Sequence, residues 1–253
     1  MNWRIKKKLK YLFILFIFLI LIFYLMYFVV KNKNLDSCLN GVKDKGEIGI
    51  DCGGKCPPCE LKNFKFLKRY PVEFLEYENN IDIIGLIENP NENLALKKFI
   101  YYFEIRDESG NLKETTRQKS SILAPLEKRY LIELNYPKPN FKIGSIDLKI
   151  IEPSKKDWIS SEFRKIPVSY YNFKTRSEGN KTIISLTLFN QSYYDYPDLE
   201  VILLLYKNAD LISVNKSIVS LKAEENKEIF FFVPQEFSNF TDFYLQIQKS
   251  SLD

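Results

Sequence analysis

Four cysteines are the residues of this chain with the clearest chemical potential: Cys38, Cys52, Cys56 and Cys59. Four thiols so close together can form two disulfides, hold a zinc ion or exchange disulfides with another protein. An even, clustered count in a chain that leaves a reducing cytoplasm favours two structural disulfides. We favour Cys38 with Cys56 and Cys52 with Cys59, because interleaved bridges constrain a short loop best. The other two pairings stay open.

Zinc binding and disulfide exchange are weaker interpretations of the same residues. Cys38 has no neighbouring Cys-x-x-Cys partner, and an oxidising compartment does not suit a thiolate zinc site. Cys56 and Cys59 do have the Cys-x-x-Cys spacing of thiol oxidoreductases. That motif normally begins a helix in a βαβ fold, and no such pattern surrounds it here. A thiol-disulfide enzyme using Cys56 and Cys59 is therefore one alternative function.

Oxygen-bearing side chains lie between the same cysteines, at Asn40, Asp44, Glu47 and Asp51. Calcium binds six to eight hard oxygen ligands, so this set predicts a calcium site. The spacing does not match the EF-hand loop. Asn and Asp also form turns on solvated surfaces, which is the competing interpretation. Calcium is the one cofactor that the sequence leaves open.

The cysteine segment has a specific pattern of its own. From Cys38 to Cys59 it reads C-x-N-G-x-x-x-x-G-E-x-G-x-D-C-G-G-x-C-x-x-C. This pattern resembles a juxtamembrane cysteine module of uncharacterised prokaryotic surface proteins. The resemblance implies a location next to a membrane and names no activity.

An apolar stretch at residues 11–30 determines where this module lies relative to a membrane. It contains no charged residue, amide, Gly or Pro, and at ~1.5 Å per residue a helix of this length spans about 30 Å of hydrocarbon. Large apolar residues continue to its end with no small-residue cleavage site, which predicts an uncleaved transmembrane anchor. Five basic residues precede it, so the positive-inside rule places residues 1–10 in the cytoplasm. The remainder is then the extracytoplasmic ectodomain of a single-pass cell-membrane protein.

Composition excludes several functions. The five basic residues of the cytoplasmic tail account for the whole excess of 37 Lys and Arg over 32 Asp and Glu, so the ectodomain is neutral. A nucleic-acid-binding role is not indicated, because it needs a basic patch on the folded part. The chain has no histidine, which removes Ser-His-Asp and Cys-His nucleophilic sites and all histidine-ligated metal centres. Phosphate-binding and dinucleotide-binding glycine motifs are also absent from the sequence.

The ectodomain shows a hydrophobic period near two, which predicts short antiparallel strands and an all-β fold. The module occupies residues 31–60, and two segments of similar layout follow it, 61–164 and 165–253. Strands predicted at Ile81–Asn89 and Thr182–Asn190 correspond, a hundred positions apart. Such internal similarity predicts two tandem β-sandwiches joined by a linker at residues 152–164. One large sandwich is the alternative.

A second resemblance concerns the first of these segments. Phe103-Glu104-Ile105-Arg106-Asp107, the turn at residues 89–91 and the turn at residues 122–125 resemble the F-x-L-Y-D class of Ig-like β-sandwich modules. Arg106 stands where that class usually has Tyr. The late-embryogenesis-abundant type 2 sandwich is a more distant likeness. The resemblance implies Ig-like sandwiches without an active site.

Three tyrosines form the remaining candidate site, at Tyr193, Tyr194 and Tyr196. They either form an exposed patch for a protein or glycan partner or pack on the sandwich edge, and we favour packing. Four Asn-x-Ser/Thr sequons also occur in this half, at Asn180, Asn190, Asn215 and Asn239.

Together these features predict a non-catalytic, membrane-anchored envelope protein that acts in binding or scaffolding. Its expected partners are the lipid bilayer and an envelope protein or glycan. An accessory subunit of an assembly, secretion or pilus system is a further alternative.

Overall fold

The computed structural model describes residues 3–33, 37–162 and 166–249. The chain divides into two compact units, Met1–Cys59 and Glu60–Asp253. About half of the chain, 54%, is β-structure in antiparallel sheets, preceded by one apolar helix. The predicted all-β ectodomain on a single N-terminal helix is therefore confirmed, whereas the Ig-like classification stays a prediction.

Helix α1, Trp3–Lys33, contains the candidate transmembrane span Lys8–Phe28, and no residue of that span is buried within the protein. The segment is helical because apolar residues, many of them Leu, run through it without Gly or Pro. With every backbone group bonded inside the helix, such a segment suits a bilayer. Its orientation across the membrane stays a prediction.

The first half of the second unit consists of two antiparallel sheets. Sheet 1 contains β1 (Lys68–Arg69), β2 (Glu73–Glu76), β3 (Asn80–Glu88) and β7 (Lys128–Pro137). Sheet 2 contains β4 (Leu94–Asp107), β5 (Leu112–Thr115), β6 (Lys119–Leu123), β8 (Ile143–Ile151) and β9 (Trp158–Ser160). The long strand β4 lies at the centre of sheet 2, with β5 and β6 pairing along it and β8 and β9 also pairing with it.

The second half repeats this plan with three strands in each sheet. Sheet 3 has the order β10 (Val168–Glu178), β11 (Lys181–Asn190) and β14 (Asn226–Pro234). Sheet 4 has the order β13 (Asp210–Leu221), β12 (Tyr196–Lys207) and β15 (Asp242–Lys249).

Each half encloses an apolar core between its two sheets. In β11 the alternate residues Ile184, Leu186 and Leu188 are fully buried, and their neighbours face outwards. Leu203 and Leu205 of β12 meet them from sheet 4. Each such side chain contributes roughly 1.5–3 kcal/mol when fully buried, so alternation fixes the register of the strands. Sheets 1 and 2 enclose a second core in the same way, with Phe103 among its buried residues.

A third apolar cluster joins the two halves. It combines Ile84 and Ile132 from sheet 1 with Ile202, Leu204 and Val214 from sheet 4. Sheets 1 and 4 are therefore covered on both faces, and strands of this kind read as continuous apolar runs. The two sandwiches pack face to face as one body, which the expected tandem arrangement did not include.

The segment expected to be a linker is partly a strand. β9 lies within residues 152–164 and pairs with the start of β4. Trp158 at its beginning is buried in the first core and contacts Phe64 edge-on, with ring centroids 4.9 Å apart. The segment thus belongs to the first sandwich up to Ser160, and its residues 163 and 164 lie outside the described ranges.

A pair of buried asparagines shows how closely the halves correspond. The amide of Asn89 donates to the carbonyls of Leu94 and Ala124, and its Oδ1 accepts from both nitrogens of Asn91. Asn190, 101 residues later, also donates to two carbonyls and accepts from the backbone N–H and hydroxyl of Ser192.

The turn that precedes β7 or β14 is repeated too. The Asn89 backbone N–H donates to the Glu127 carbonyl, and that of Asn190 donates to the Glu225 carbonyl. The residue before each glutamate, Leu126 or Glu224, has a positive φ, 53° and 55° respectively. These bonds align Glu127 with Glu225, and therefore residues 128–133 of β7 with residues 226–231 of β14, up to the register shift between β3 and β7.

Candidate functional site

The first unit contains both disulfides. The bridges join Cys38 to Cys56 and Cys52 to Cys59, with Cα–Cα distances of 5.4 and 4.8 Å. This is the interleaved arrangement favoured above. Gly54 is required nearby, because a Cβ there would lie 1.8 Å from the carbonyl oxygen of Gly46.

The bridge pattern bears directly on the Cys-x-x-Cys motif. Cys56 and Cys59 belong to different disulfides, so they do not form the intramolecular redox couple of a thiol oxidoreductase. A short 3-10 helix, Cys59–Asn63, follows the motif where an oxidoreductase has a long α-helix. Cys52 and Cys56 are also buried. This geometry is that of structural bridges.

The carboxylates of the module bind backbone N–H groups. Asp51 accepts hydrogen bonds from the backbone nitrogens of Asn40 and Gly41, each at 2.9 Å. Glu47 Oε2 accepts from those of Asp44 and Asp51, both at 3.1 Å. The Asp44 carboxylate accepts from the Asn40 side-chain amide at 2.8 Å. These contacts close the turns of a segment too small to have a core.

The carboxylates of the predicted calcium site accept hydrogen bonds from within the module, and calcium binding there stays a prediction. Among the described residues, the one group of three His, Cys, Asp or Glu side chains whose ligand atoms lie within 4.8 Å of one another is Cys38, Glu47 and Cys56, which does not include Asp44 or Asp51. Two of its members are disulfide sulfurs, which are poor ligands for a hard cation. Glu47 Oε1 lies 3.1 Å from Cys56 Sγ. Because a bridged sulfur carries no proton, this is a sulfur–oxygen contact and not a hydrogen bond.

The three candidate tyrosines are not in one environment. Tyr193 and Tyr194 are 83% and 74% exposed in the loop before β12. Tyr196 starts β12, packs against the second core and has the Lys249 ammonium 5.1 Å from its ring centre. The favoured interpretation, packing on the sandwich edge, describes Tyr196, whereas Tyr193 and Tyr194 are open to a partner.

The sequons also divide by environment. Asn180 and Asn239 are exposed, and Asn215 is half-buried in β13. Asn190 is fully buried, and its amide nitrogen donates to the carbonyls of Tyr194 and Lys222. That nitrogen cannot accept a glycan in the folded protein.

An open groove of about 1090 Å³ lies between the two sandwiches, within the second unit. One wall is the turn from β6 to β7, including Ile122 and Leu126. The opposite wall is the beginning of β10, including Val168 and Tyr170. The strand β15 also lines it, from Tyr244 to Ile247. Charged residues such as Glu127, Arg129 and Glu162 also line the groove, so its walls are of mixed polarity.

Polar contacts hold β15 against the first sandwich beside this groove. Gln246 and Gln248 donate side-chain hydrogen bonds to the carbonyls of Lys128 and Tyr130. The buried Arg129 guanidinium donates to the Lys249 carbonyl and pairs with Glu127 at 2.8 Å. The position of β15 is thus fixed by both sandwiches.

A half-buried carboxylate, Glu200, completes this network. Burial disfavours the charge on Glu200, but hydrogen bonds from Lys216 and Gln248 and the nearby Arg129 charge outweigh burial and lower the pKa of Glu200. Lys216 Nζ lies 2.5 Å from Glu200 Oε1. This ionised group acts in holding β12, β13 and β15 together.

Sequence reasoning missed the groove, because its lining comes from separate segments of the chain, residues 122–129, 159–162, 166–170 and 244–249. One signal was present: the central residues of β15, 243–248, read FYLQIQ and carry no charge. A sandwich edge strand normally carries charged residues, Pro or a bulge.

Comparisons with known proteins identify no family. No family model matches the chain, and no curated protein matches it. A red sea bream transglutaminase structure aligns at 8% identity and TM-score 0.22, over 66% of this chain and 27% of that one. A family 2 β-glucuronidase aligns at 9% identity and TM-score 0.21, over 82% and 29%. The chain spans under a third of either structure, and scores this low support no functional argument.

Proposed function

We propose that this chain is a membrane-anchored envelope protein whose ectodomain acts in binding or scaffolding. The observation that carries the proposal is the apolar contact between sheets 1 and 4, which makes the two sandwiches one preformed body. A preformed surface binds a partner with a small loss of conformational entropy. The groove and the exposed Tyr193–Tyr194 loop are the surfaces that this body offers.

The location rests on three features of the chain. The candidate span in α1, the basic residues before it and two disulfides after it all agree with an N-terminus in the cytoplasm and an oxidising compartment for the rest. We therefore assign the ectodomain to the outer side of the cell membrane.

The alternatives receive less support. Thiol-disulfide exchange requires Cys56 and Cys59 to pair with each other, and they do not. An accessory subunit that pairs through its membrane helix normally uses small residues for close approach, and residues 11–30 contain no Gly, Ala, Ser or Thr.

Site-specific photocrosslinking in intact cells tests the proposal. A photoreactive amino acid replaces Tyr193, Leu126 or, as a control on the highly exposed surface elsewhere, Lys142. We expect one discrete adduct from Tyr193 or Leu126 and none from Lys142. A reporter fused after Asp253 should be active only outside the cytoplasm. A cytoplasmic reporter, or no adduct at either surface, contradicts the proposal.

A further inference from the structure

The most exposed large apolar side chains of the second unit are three aromatic residues. Phe66 is 84% exposed, and Tyr193 and Tyr194 come next among the described residues of that unit. Leu126, in the turn before β7, is also exposed. Single exposed apolar residues need no explanation, whereas several on one surface mark an interaction site. The relative positions of these four side chains therefore decide what they indicate.

Phe66 and Leu126 lie at the same end of the first sandwich. The backbone N–H of Lys65 donates to the Asn91 side chain at 2.8 Å, and that of Leu126 donates to the Asn91 carbonyl at 3.1 Å. Phe66 and Leu126 therefore flank the turn in which β3 ends. Phe66 also contacts Phe64 edge-on, with ring centroids 5.5 Å apart, and this contact holds its ring in position.

The two tyrosines occupy the corresponding end of the second sandwich, because their loop follows β11 as the turn at Asn91 follows β3. The Tyr194 backbone N–H donates to the Ser192 hydroxyl, and the Tyr194 carbonyl accepts from the Asn190 side-chain amide. Since these backbone groups are paired within the protein, this segment can enter a poorly hydrated environment without leaving them unpaired.

Like ends of the two sandwiches lie side by side. At one end, the groove has the turn before β7 on one wall and the start of β10 on the other. Val168 in that start pairs with Asn190, at the end of β11. At the opposite end, the ring of Tyr77, which precedes β3, lies 6.3 Å from that of Phe237, which follows β14. The exposed side chains of both sandwiches consequently lie at one end of the second unit, which we call the aromatic end: Phe66, Leu126, Tyr193 and Tyr194.

The chain enters the second unit at the aromatic end. Glu60 follows directly after the first unit, which contains the candidate transmembrane span. The Glu60 carboxylate accepts a hydrogen bond from the Ser160 hydroxyl at 2.9 Å, and Ser160 pairs with Leu94, the first residue of β4. β4 begins just after the turn at Asn91, so Glu60 and the exposed rings share one end. The end that is joined to the membrane anchor is therefore the end that carries the rings.

We propose that the aromatic end contacts the lipid bilayer in which the chain is anchored, with Phe66, Tyr193 and Tyr194 in the interfacial layer. The inference rests on the proposed membrane anchoring and names the bilayer as the partner of this surface. Tyrosine combines an apolar ring with a hydroxyl that stays hydrated, which suits the boundary between headgroups and acyl chains.

The charges at the aromatic end indicate which kind of lipid suffices. Exposed charged residues of both signs lie there, including Lys65, Glu92, Lys222 and Glu224. An anionic lipid would attract the lysines and repel the glutamates. The contact therefore depends on the apolar rings, and a zwitterionic lipid is the appropriate probe.

Photocrosslinking to lipid tests this with the full chain in phosphatidylcholine nanodiscs. A benzophenone amino acid replaces Tyr193 or, as the matched control, Phe232. Phe232 is an exposed aromatic residue of the same sandwich, but it pairs with Ile183 near the start of β11, towards the opposite end. We expect adducts of one lipid mass from the Tyr193 position and none from the Phe232 position.

Two serine variants supply a second measurement, with the crosslinker kept at Tyr193. Phe66→Ser removes one ring from the aromatic end and should lower the yield of lipid adduct about threefold, because partial burial of one aromatic side chain is lost. Phe230→Ser removes an exposed ring from sheet 3 and should leave the yield unchanged. Circular dichroism should show the same unfolding transition for both variants, since both rings are exposed.

Three outcomes overturn the inference: no lipid adduct from Tyr193, equal lipid adducts from Tyr193 and Phe232, or equal effects of the two serine variants. A protein adduct from Tyr193 in intact cells, without a lipid adduct in nanodiscs, also overturns it and leaves the proposed function in place. A cytoplasmic reporter together with lipid adducts from Tyr193 does the reverse, because it contradicts the proposed location and retains the contact with the bilayer.

Discussion

Replacement of Asn89 by Ala is expected to destabilise the second unit strongly. The side chain is fully buried and makes four hydrogen bonds, to Leu94, Ala124 and twice to Asn91, between 2.6 and 3.1 Å. Each such bond contributes about 0.5–1.5 kcal/mol net, and its loss leaves a buried partner unpaired. We expect a cost of about 3 kcal/mol.

Thermal unfolding of the full chain in micelles, followed by circular dichroism, measures this cost. For a unit of this size 1 kcal/mol changes Tm by about 2–4 °C, so Asn89→Ala should lower Tm by about 6–12 °C. Asn190→Ala should behave alike, because its side chain makes the corresponding contacts. Asn180→Ala, at an exposed turn, is the control and should change stability by less than about 0.5 kcal/mol.

The result that refutes this reasoning is a loss below about 1 kcal/mol for both buried asparagines. In that case the turns hold without their side-chain bonds, and the repeated asparagine has no structural role. A large loss of stability for Asn89→Ala with none for Asn190→Ala would instead show that the buried asparagine stabilises the first sandwich and not the second.

Three further predictions concern other parts of the molecule. Replacing all four cysteines by Ser should leave the main unfolding transition of residues 60–253 unchanged and increase proteolysis of residues 37–59, because the bridges lie in a separate compact unit; a clearly lower transition would contradict that separation. Burial is the main influence on Asp82 and raises its pKa, against opposing hydrogen bonds from Asn135 and Tyr77. The contribution of protonated Asp82 to stability is therefore present below the pKa of the unfolded chain, and it is lost as pH rises through the folded pKa. Asp82→Asn should then raise Tm at about pH 7 and leave it unchanged at about pH 3. An equal gain at both pH values would argue against a raised pKa of the Asp82 carboxyl. In a glycosylating host, mass spectrometry should find glycan on Asn180 before Asn190, whose buried amide is engaged; glycan on Asn190 in folded protein would disprove the buried placement.

Local pattern predicted most of the strands. Alternation at Ile184, Leu186 and Leu188 places β11 where the structure has it. β10 was missed because it is an exposed edge strand with polar residues on both faces, so its sequence carries no alternation. The two-residue strand β1 is too short for any periodic signal.

The contact between the sandwiches was not predicted, although the sequence contains its trace. Ile83-Ile84 and the run from Val201 to Leu205 are apolar on both faces of their strands. Apolar residues on both faces are typical of strands that are covered on both sides. The sequence does not show which sheet provides the cover. The groove and the Arg129–Glu127 network exist only where the two sandwiches meet. They could not be predicted, because the contact itself could not.

The joint between the two sandwiches has a consequence in terms of symmetry. Sheet 1 of one repeat meets sheet 4 of the other, and these sheets are not equivalent, so the contact is heterologous and does not close on itself. The alignment of Glu127 with Glu225 makes Phe230 the counterpart of Ile132, which is buried in the joint. Phe230 is 49% exposed. The first sandwich uses the outer face of sheet 1 to contact the second sandwich. The second sandwich has the corresponding face on sheet 3, where aromatic side chains such as Phe230 lie and where, among the described residues, no other sandwich packs.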